Sequence, residues 1–178
     1  MADYYQALQF TEPRLCLDQE DLQQRFYARS RQLHPDRFAR STPAEQQAAL
    51  DLSSVLNDAY RTLKDPIQRA EYMLTLKGLA SSEQRANDVP PDLLEEVFEL
   101  NMALEELKAG DESARPQLAT ARDHFAALLA QSDIELDKLF AAHDATPGEP
   151  VLRQIRSLLN RRRYIQNLLR DVNGYLSN

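Results

Sequence analysis

Pro35 constrains the fold of this 178-residue chain more than any other single residue. It directly follows DQEDLQQRFYARSRQLH (residues 18–34), where Leu22, Phe26 and Leu33, with small Ser30 between, recur at helical spacing. A proline pushes the residue before it out of the helical region. A helix capped by Asp18 must therefore stop near His34. A second helix opens soon after. Thr42-Pro43-Ala44-Glu45 supplies a capping hydroxyl, a proline at the first helical position and a carboxylate at the third. The short DRFARS connection joins two helices that must pack antiparallel.

The remaining punctuation is also helical. The second helix carries Leu52, Val55, Leu56, Ala59 and Leu63 on one face and stops at Asp65-Pro66. A short helix over residues 67–77 ends at Gly78. With a turn of helix at residues 3–8, these pieces form one unit over residues 1–77. Residues 78–90, GLASSEQRANDVP, read as a linker: small, polar and without periodicity. Over residues 91–178 three longer helices are expected. The first covers residues 92–108 and stops at Gly110. The second covers residues 113–143, with Pro116 in its first turn. The third covers residues 151–176, introduced by the cap-like Thr146-Pro147-Gly148-Glu149. Its Ile155, Leu158, Ile165, Leu169, Val172 and Leu176 form the seam of a helical hairpin or three-helix bundle. Only four Gly are present, and Leu, Ala, Gln, Glu and Arg outweigh β-branched residues. The expected fold is all-α.

Several function classes fall away. The longest apolar run, residues 125–130, is far short of the ~20 residues a membrane span needs. The start, MADYYQALQF, has no basic cluster and reads as no signal peptide. One cysteine, Cys16, cannot pair internally, which fits a cytoplasmic location; it reads as a small buried residue. His34, His124 and His143 show no metal-ligand spacing; the last two read as ordinary helix histidines without partners. No residue set for a cofactor, metal or nucleophilic reaction emerges, so the chain reads as a non-enzyme. The net charge of −7 argues against chain-wide nucleic-acid binding. Arg161-Arg162-Arg163 is the one basic run in the acidic half, and it reads as a solvated face or as partners for carboxylates. A nucleic-acid binder using that helix remains an alternative.

Charge is uneven. Residues 1–77 carry a net −1 and residues 78–178 a net −6. Between Leu22 and Arg40 lie five arginines (Arg25, Arg29, Arg31, Arg37, Arg40) and one acid, Asp36. His34 and Asp36 therefore project from a proline-stiffened turn with arginines around them. Such surroundings favour the charged carboxylate, which suits a charge-assisted contact with a partner's arginine better than general-base chemistry.

A second feature lies in DLLEEVFELNMALEELK (residues 92–108). Leu93, Val97, Leu100, Leu104 and Leu107 make one apolar stripe suited to a bundle core. Leu94, Phe98 and Met102 are left as a second stripe, flanked by Glu95, Glu99 and Glu106. An apolar stripe rimmed by carboxylates suits a protein-binding surface. The plain alternative is that a neighbouring helix covers it.

FYARSRQLHPDRF and LNDAYRTLKDPIQRAEYML together resemble a J-domain over residues 3–77. With an acidic helical segment behind it, and no glycine-rich or zinc module, the chain is similar to the HscB family, the J-type co-chaperones of iron–sulfur cluster assembly. The resemblance implies an L-shaped pair of helical domains and no enzymatic turnover. It implies that His34, Pro35 and Asp36, helped by Arg25, Arg29 and Arg37, touch a DnaK/HscA-type chaperone and speed its ATP hydrolysis. It also implies that Leu94, Phe98 and Glu99, with Glu95 and Met102 beside them, bind an iron–sulfur cluster scaffold protein of the IscU type. At Glu95 the family commonly has Met or Ile, and at Met102 commonly Glu. The last helix is expected to add Leu158. A J-protein with a different client is the other alternative.

Overall fold

The computed structural model describes residues 3–80 and 89–177. Most of the linker expected at residues 78–90 lies outside the described residues. Every regular element among the described residues is helical: α1 (Tyr4–Ala7), α2 (Gln19–Gln32), α3 (Pro43–Lys64), α4 (Pro66–Leu76), α5 (Leu94–Lys108), α6 (Arg115–Ala145) and α7 (Glu149–Leu176), with 3₁₀ turns at Pro35–Phe38, Pro91–Leu93 and Glu112–Ala114. The chain divides into two compact units.

The first unit comprises Met1–Gly78 and His143–Thr146. Its helices begin where the sequence places caps. The Asp18 carboxylate accepts from the Asp21 N–H, and Thr42 and Glu45 form a reciprocal capping box. Asp65 ends α3 in extended conformation and caps α4, accepting from the N–H groups of Ile67 and Gln68. α2 and α3 run antiparallel: Gln19 at the start of α2 donates to the Lys64 carbonyl at the end of α3, and Phe26 stacks on Tyr60 with centroids 4.2 Å apart. Tyr5, Leu8, Leu22, Leu56, Leu63 and Met73 are fully buried. Among them lies a buried cation, Arg69, which donates to the carbonyls of Leu15 and Leu63; burial lowers its pKa. The Asp144 carboxylate accepts from the N–H groups of Leu15 and Cys16, at 2.9 and 2.7 Å.

The second unit comprises Leu79–Ala142 and Pro147–Asn178. It is a three-helix bundle whose order is visible in its polar contacts. Asp92 meets Arg161 and Lys108 lies over Tyr175, so α5 and α7 run parallel. Arg115 donates to the Leu176 carbonyl and Arg162 to Asp133, so α6 runs opposite to α7. Leu93, Val97, Leu100, Leu104, Leu107, Leu118, Phe125, Ile165 and Val172 build the core.

Four expectations fail in detail. α7 starts at Glu149 with Gly148 as cap residue and Pro150 in its first turn, so Thr146 caps nothing there. Leu159, with Leu152, is buried in α7, while Leu158 is half-buried, because the helical stripe drifts by one position at that turn. Leu52 is exposed although it shares the spacing of Leu56 and Leu63. Cys16 is exposed, since the buried position in that segment goes to its neighbour Leu15.

Candidate functional site

Two exposed features stand out, one in each unit. In the first, the backbone follows the logic of Pro35. α2 ends at Gln32, and His34 is extended at φ −61° and ψ 133°. Pro35 then opens a 3₁₀ turn whose cap is the His34 ring: Nδ1 accepts from the Asp36 N–H at 3.3 Å. The same nitrogen lies 3.5 Å from the Asp36 carboxylate. A neutral imidazole thus accepts from the amide, and a protonated one pairs with the carboxylate. Two ties hold the far side of the turn, since the Gln46 side chain donates to the carbonyls of Phe38 and Ser41 at 3.1 and 3.2 Å.

The Asp36 side chain is 91% exposed, and the side chain beside it is the His34 ring. None of the arginines pairs with it, which corrects the expectation of a carboxylate enclosed by them. The arginines divide into two kinds. Arg25 is held inward by Asp21 (2.9 Å), the Gln9 carbonyl (2.6 Å) and the Phe10 ring. Arg29 is half-buried and donates to Gln32. Arg31, Arg37 and Arg40 are exposed, and among the described residues they have no carboxylate partner. Asp21 and Arg25 stand at the i, i+4 spacing of a helical ion pair, whereas the ties of Arg25 to Gln9 and Phe10 depend on the fold.

In the second unit α5 separates its two stripes as the spacing predicts. Val97, Leu100 and Leu104 are buried, while Leu94, Phe98 and Met102 are 56%, 65% and 52% exposed. No helix among the described residues covers that outer stripe, so the plain alternative fails. Glu95 and Glu99 are exposed beside it. Leu158 is half-buried on α7.

The remaining candidates take structural roles. Arg161 meets Asp92 and Ser132, and Arg162 meets Asp133, so the basic run is largely spent on carboxylates of its own unit. His124 and His143 both have partners, contrary to expectation: Glu96 at 3.4 Å and Asp144 at 3.3 Å, with His143 buried. No group of three or more metal-ligating side chains occurs among the described residues. None of the described helices is long and apolar enough to cross a membrane.

Residues 3–72 match the family model described as the DnaJ domain, and residues 89–173 match the HSCB C-terminal oligomerisation domain. The co-chaperone protein HscB homolog of Shewanella halifaxensis is 32% identical over 146 residues, which is 82% of this chain and 83% of that protein. The chain belongs to the HscB family of co-chaperones. Another HscB homolog, from Neisseria meningitidis serogroup B, is 37% identical over 112 residues, covering 63% of this chain and 67% of its own length. Among solved structures, chaperone HscB from Vibrio cholerae has a TM-score of 0.64 at 26% identity, covering 97% of this chain and 96% of the other. Human co-chaperone HscB has a TM-score of 0.69 at 24% identity, covering 98% and 82%, and shares the fold. The first exposed feature therefore belongs to the DnaJ domain and the second to the HscB C-terminal domain.

Proposed function

We propose that this HscB-family co-chaperone stimulates the ATPase of a DnaK-type chaperone of the HscA class and brings to it an iron–sulfur cluster scaffold protein of the IscU type. The observation that carries the proposal is that one chain bears both an exposed His34-Pro35-Asp36 turn and an uncovered, acid-rimmed apolar stripe on α5. Residues 1–77 act as the chaperone-docking part, 78–90 as linker and 91–178 as the scaffold-binding part. The protein turns over no substrate itself, acts in the cytoplasm and binds no nucleic acid.

The roles follow from the chemistry of each surface. The exposed Arg37, with Arg25 and Arg29 behind it, steers the turn toward an acidic chaperone face, which makes association salt-dependent. Asp36 then exchanges water for a cationic partner in the chaperone; removing one member of such a buried charge pair typically costs about 2–5 kcal/mol. On α5, Leu94 and Phe98 supply apolar area, Glu95 and Glu99 supply charge selectivity, and Met102 adapts to the partner's relief. Leu158, half-buried on α7, adds apolar area to the scaffold contact. Carrying both surfaces on one chain raises the scaffold's effective concentration at the chaperone.

The test is chaperone turnover with Asp36→Asn. That side chain lies in solvent, so the fold survives and stimulation is lost. Near-normal stimulation by a folded Asp36→Asn protein would remove the proposal.

A further inference from the structure

Beside the His34-Pro35-Asp36 turn lies an apolar groove of about 300 Å³, lined by Leu33, Pro35, Phe38, Ala39, Gln46, Ala49 and Leu50. Leu33 and Ala49 are buried, while Leu50 on α3 keeps 52% of its surface exposed at the edge. The groove is preformed. The same two Gln46 hydrogen bonds that hold the turn also fix the distance between its two walls, and the Thr42–Glu45 capping box fixes the start of α3. Charges of both signs adjoin it, Asp36 and Glu45 among them, but among the described residues the arginines are the ones without a partner. Arg37 and Arg40 bracket Phe38-Ala39 in sequence and lack carboxylate partners among the described residues. The nearby Glu45 carboxylate accepts from the N–H and hydroxyl of Thr42, which lowers its pKa and keeps it charged at its place on the cap of α3.

We infer that this groove receives an apolar side chain flanked by acidic residues, carried on an extended segment of the same DnaK-type chaperone that Asp36 contacts. The inference rests on the function proposed above. Three features favour that occupant. Pro35 is a wall of the groove as well as the centre of the turn, so a chaperone seated on the turn meets the groove without a gap. The unpaired arginines select acidic flanks. The same arginines disfavour a second copy of this chain, which would bring a second unpaired Arg37 and Arg40 against the first. Sequence reasoning passes over Leu50 because it falls off the stripe that ends at Leu63; Gln46 gives no signal at all.

The test compares two leucines that are 52% exposed on the same helix. Leu50 lines the groove and Leu52 does not. With the full chain and a purified HscA-type chaperone, Leu50→Gln should raise the concentration for half-maximal ATPase stimulation by about tenfold, as loss of roughly half a leucine's burial implies. Maximal stimulation should be retained. Leu50→Met and Leu52→Gln should stay within about twofold of the parent. Should Leu50→Gln unfold, methyl NMR of the unaltered protein decides: the Leu50 signals shift on addition of ATP-bound chaperone and those of Leu52 do not. If Leu50→Gln matches the parent while Asp36→Asn abolishes stimulation, the groove inference fails and the proposed function stands. If the parent protein stimulates nothing, both fail. Equal shifts for Leu50→Gln and Leu52→Gln, or Leu50 signals that move with the protein's own concentration, also overturn it.

Discussion

The turn at Pro35–Phe38 and the outer stripe of α5 are both open to solvent, but water treats them differently. Asp36 and Arg37 lose nothing by standing in water. Leu94, Phe98 and Met102 do, and they stand there while Val97, Leu100 and Leu104 of the same helix are buried. An exposed charge by itself therefore says little; its meaning comes from the geometry that Pro35 imposes on it. An exposed apolar stripe between carboxylates already carries a free-energy cost that a partner would remove. The two surfaces should fail differently: the turn through loss of one group in one position, the stripe in proportion to area.

The contrast within α5 should give the largest change in stability. Leu100→Ala is expected to cost about 3 kcal/mol, whereas Phe98→Ala, one turn face away, should stay within about 0.5 kcal/mol. Equal losses in chemical denaturation would break the division into core and outer stripes. Next, Leu94→Ala with Phe98→Ala should weaken scaffold binding by roughly 30-fold, about 2 kcal/mol, in calorimetry, with chaperone stimulation by the protein alone unchanged. Undiminished scaffold affinity would take α5 out of the binding surface. In the first unit, Thr42→Ala removes the cap of α3 and should cost about 1 kcal/mol; no change in the denaturation midpoint would show that the box contributes nothing.

The smallest effect concerns pH. Burial, the leading cause, raises the Tyr5 hydroxyl above its ordinary value of 10.0. A raised folded-state pKa means the folded chain holds its proton more tightly. That contribution is fully present below the unfolded value and is lost as pH rises beyond it. Glu45, lowered by the Thr42 hydrogen bonds, acts in the opposite sense: its contribution is present above the carboxylate range and lost on acidification. Denaturation midpoints measured from about pH 8 to about pH 10.5 should fall, and Tyr5→Phe should flatten the fall. An unchanged slope in Tyr5→Phe would assign the alkaline loss elsewhere.

Much of the fold is legible in proline and cap positions, because those signals act on the backbone locally. Pro35, the Thr42–Glu45 box and Asp65-Pro66 each mark a boundary that the structure observes. The double stripe of α5 is legible because one helix cannot bury two faces in a three-helix bundle. What escapes the sequence depends on distant partners. Leu52 has core spacing, yet no described element buries it. Cys16 and Leu15 are neighbours, and packing chooses between them. Asp144 accepts from Leu15 and Cys16, more than a hundred residues away, only once the end of α6 is placed. The inward capture of Arg25 by Gln9 requires the turn after α1, with Gln9 at φ 60°, a conformation sequence spacing does not report.

The central claim is that two separate surfaces on this chain serve one chaperone. Steady-state ATP turnover of an HscA-type chaperone, measured with this protein, with an IscU-type scaffold and with both, tests it most directly. Turnover with both should exceed the sum of the separate effects. Leu94→Ala with Phe98→Ala should remove only that excess, and Asp36→Asn should remove all stimulation by this protein. Turnover indifferent to the protein, or an excess that survives both sets of substitutions, would contradict the claim.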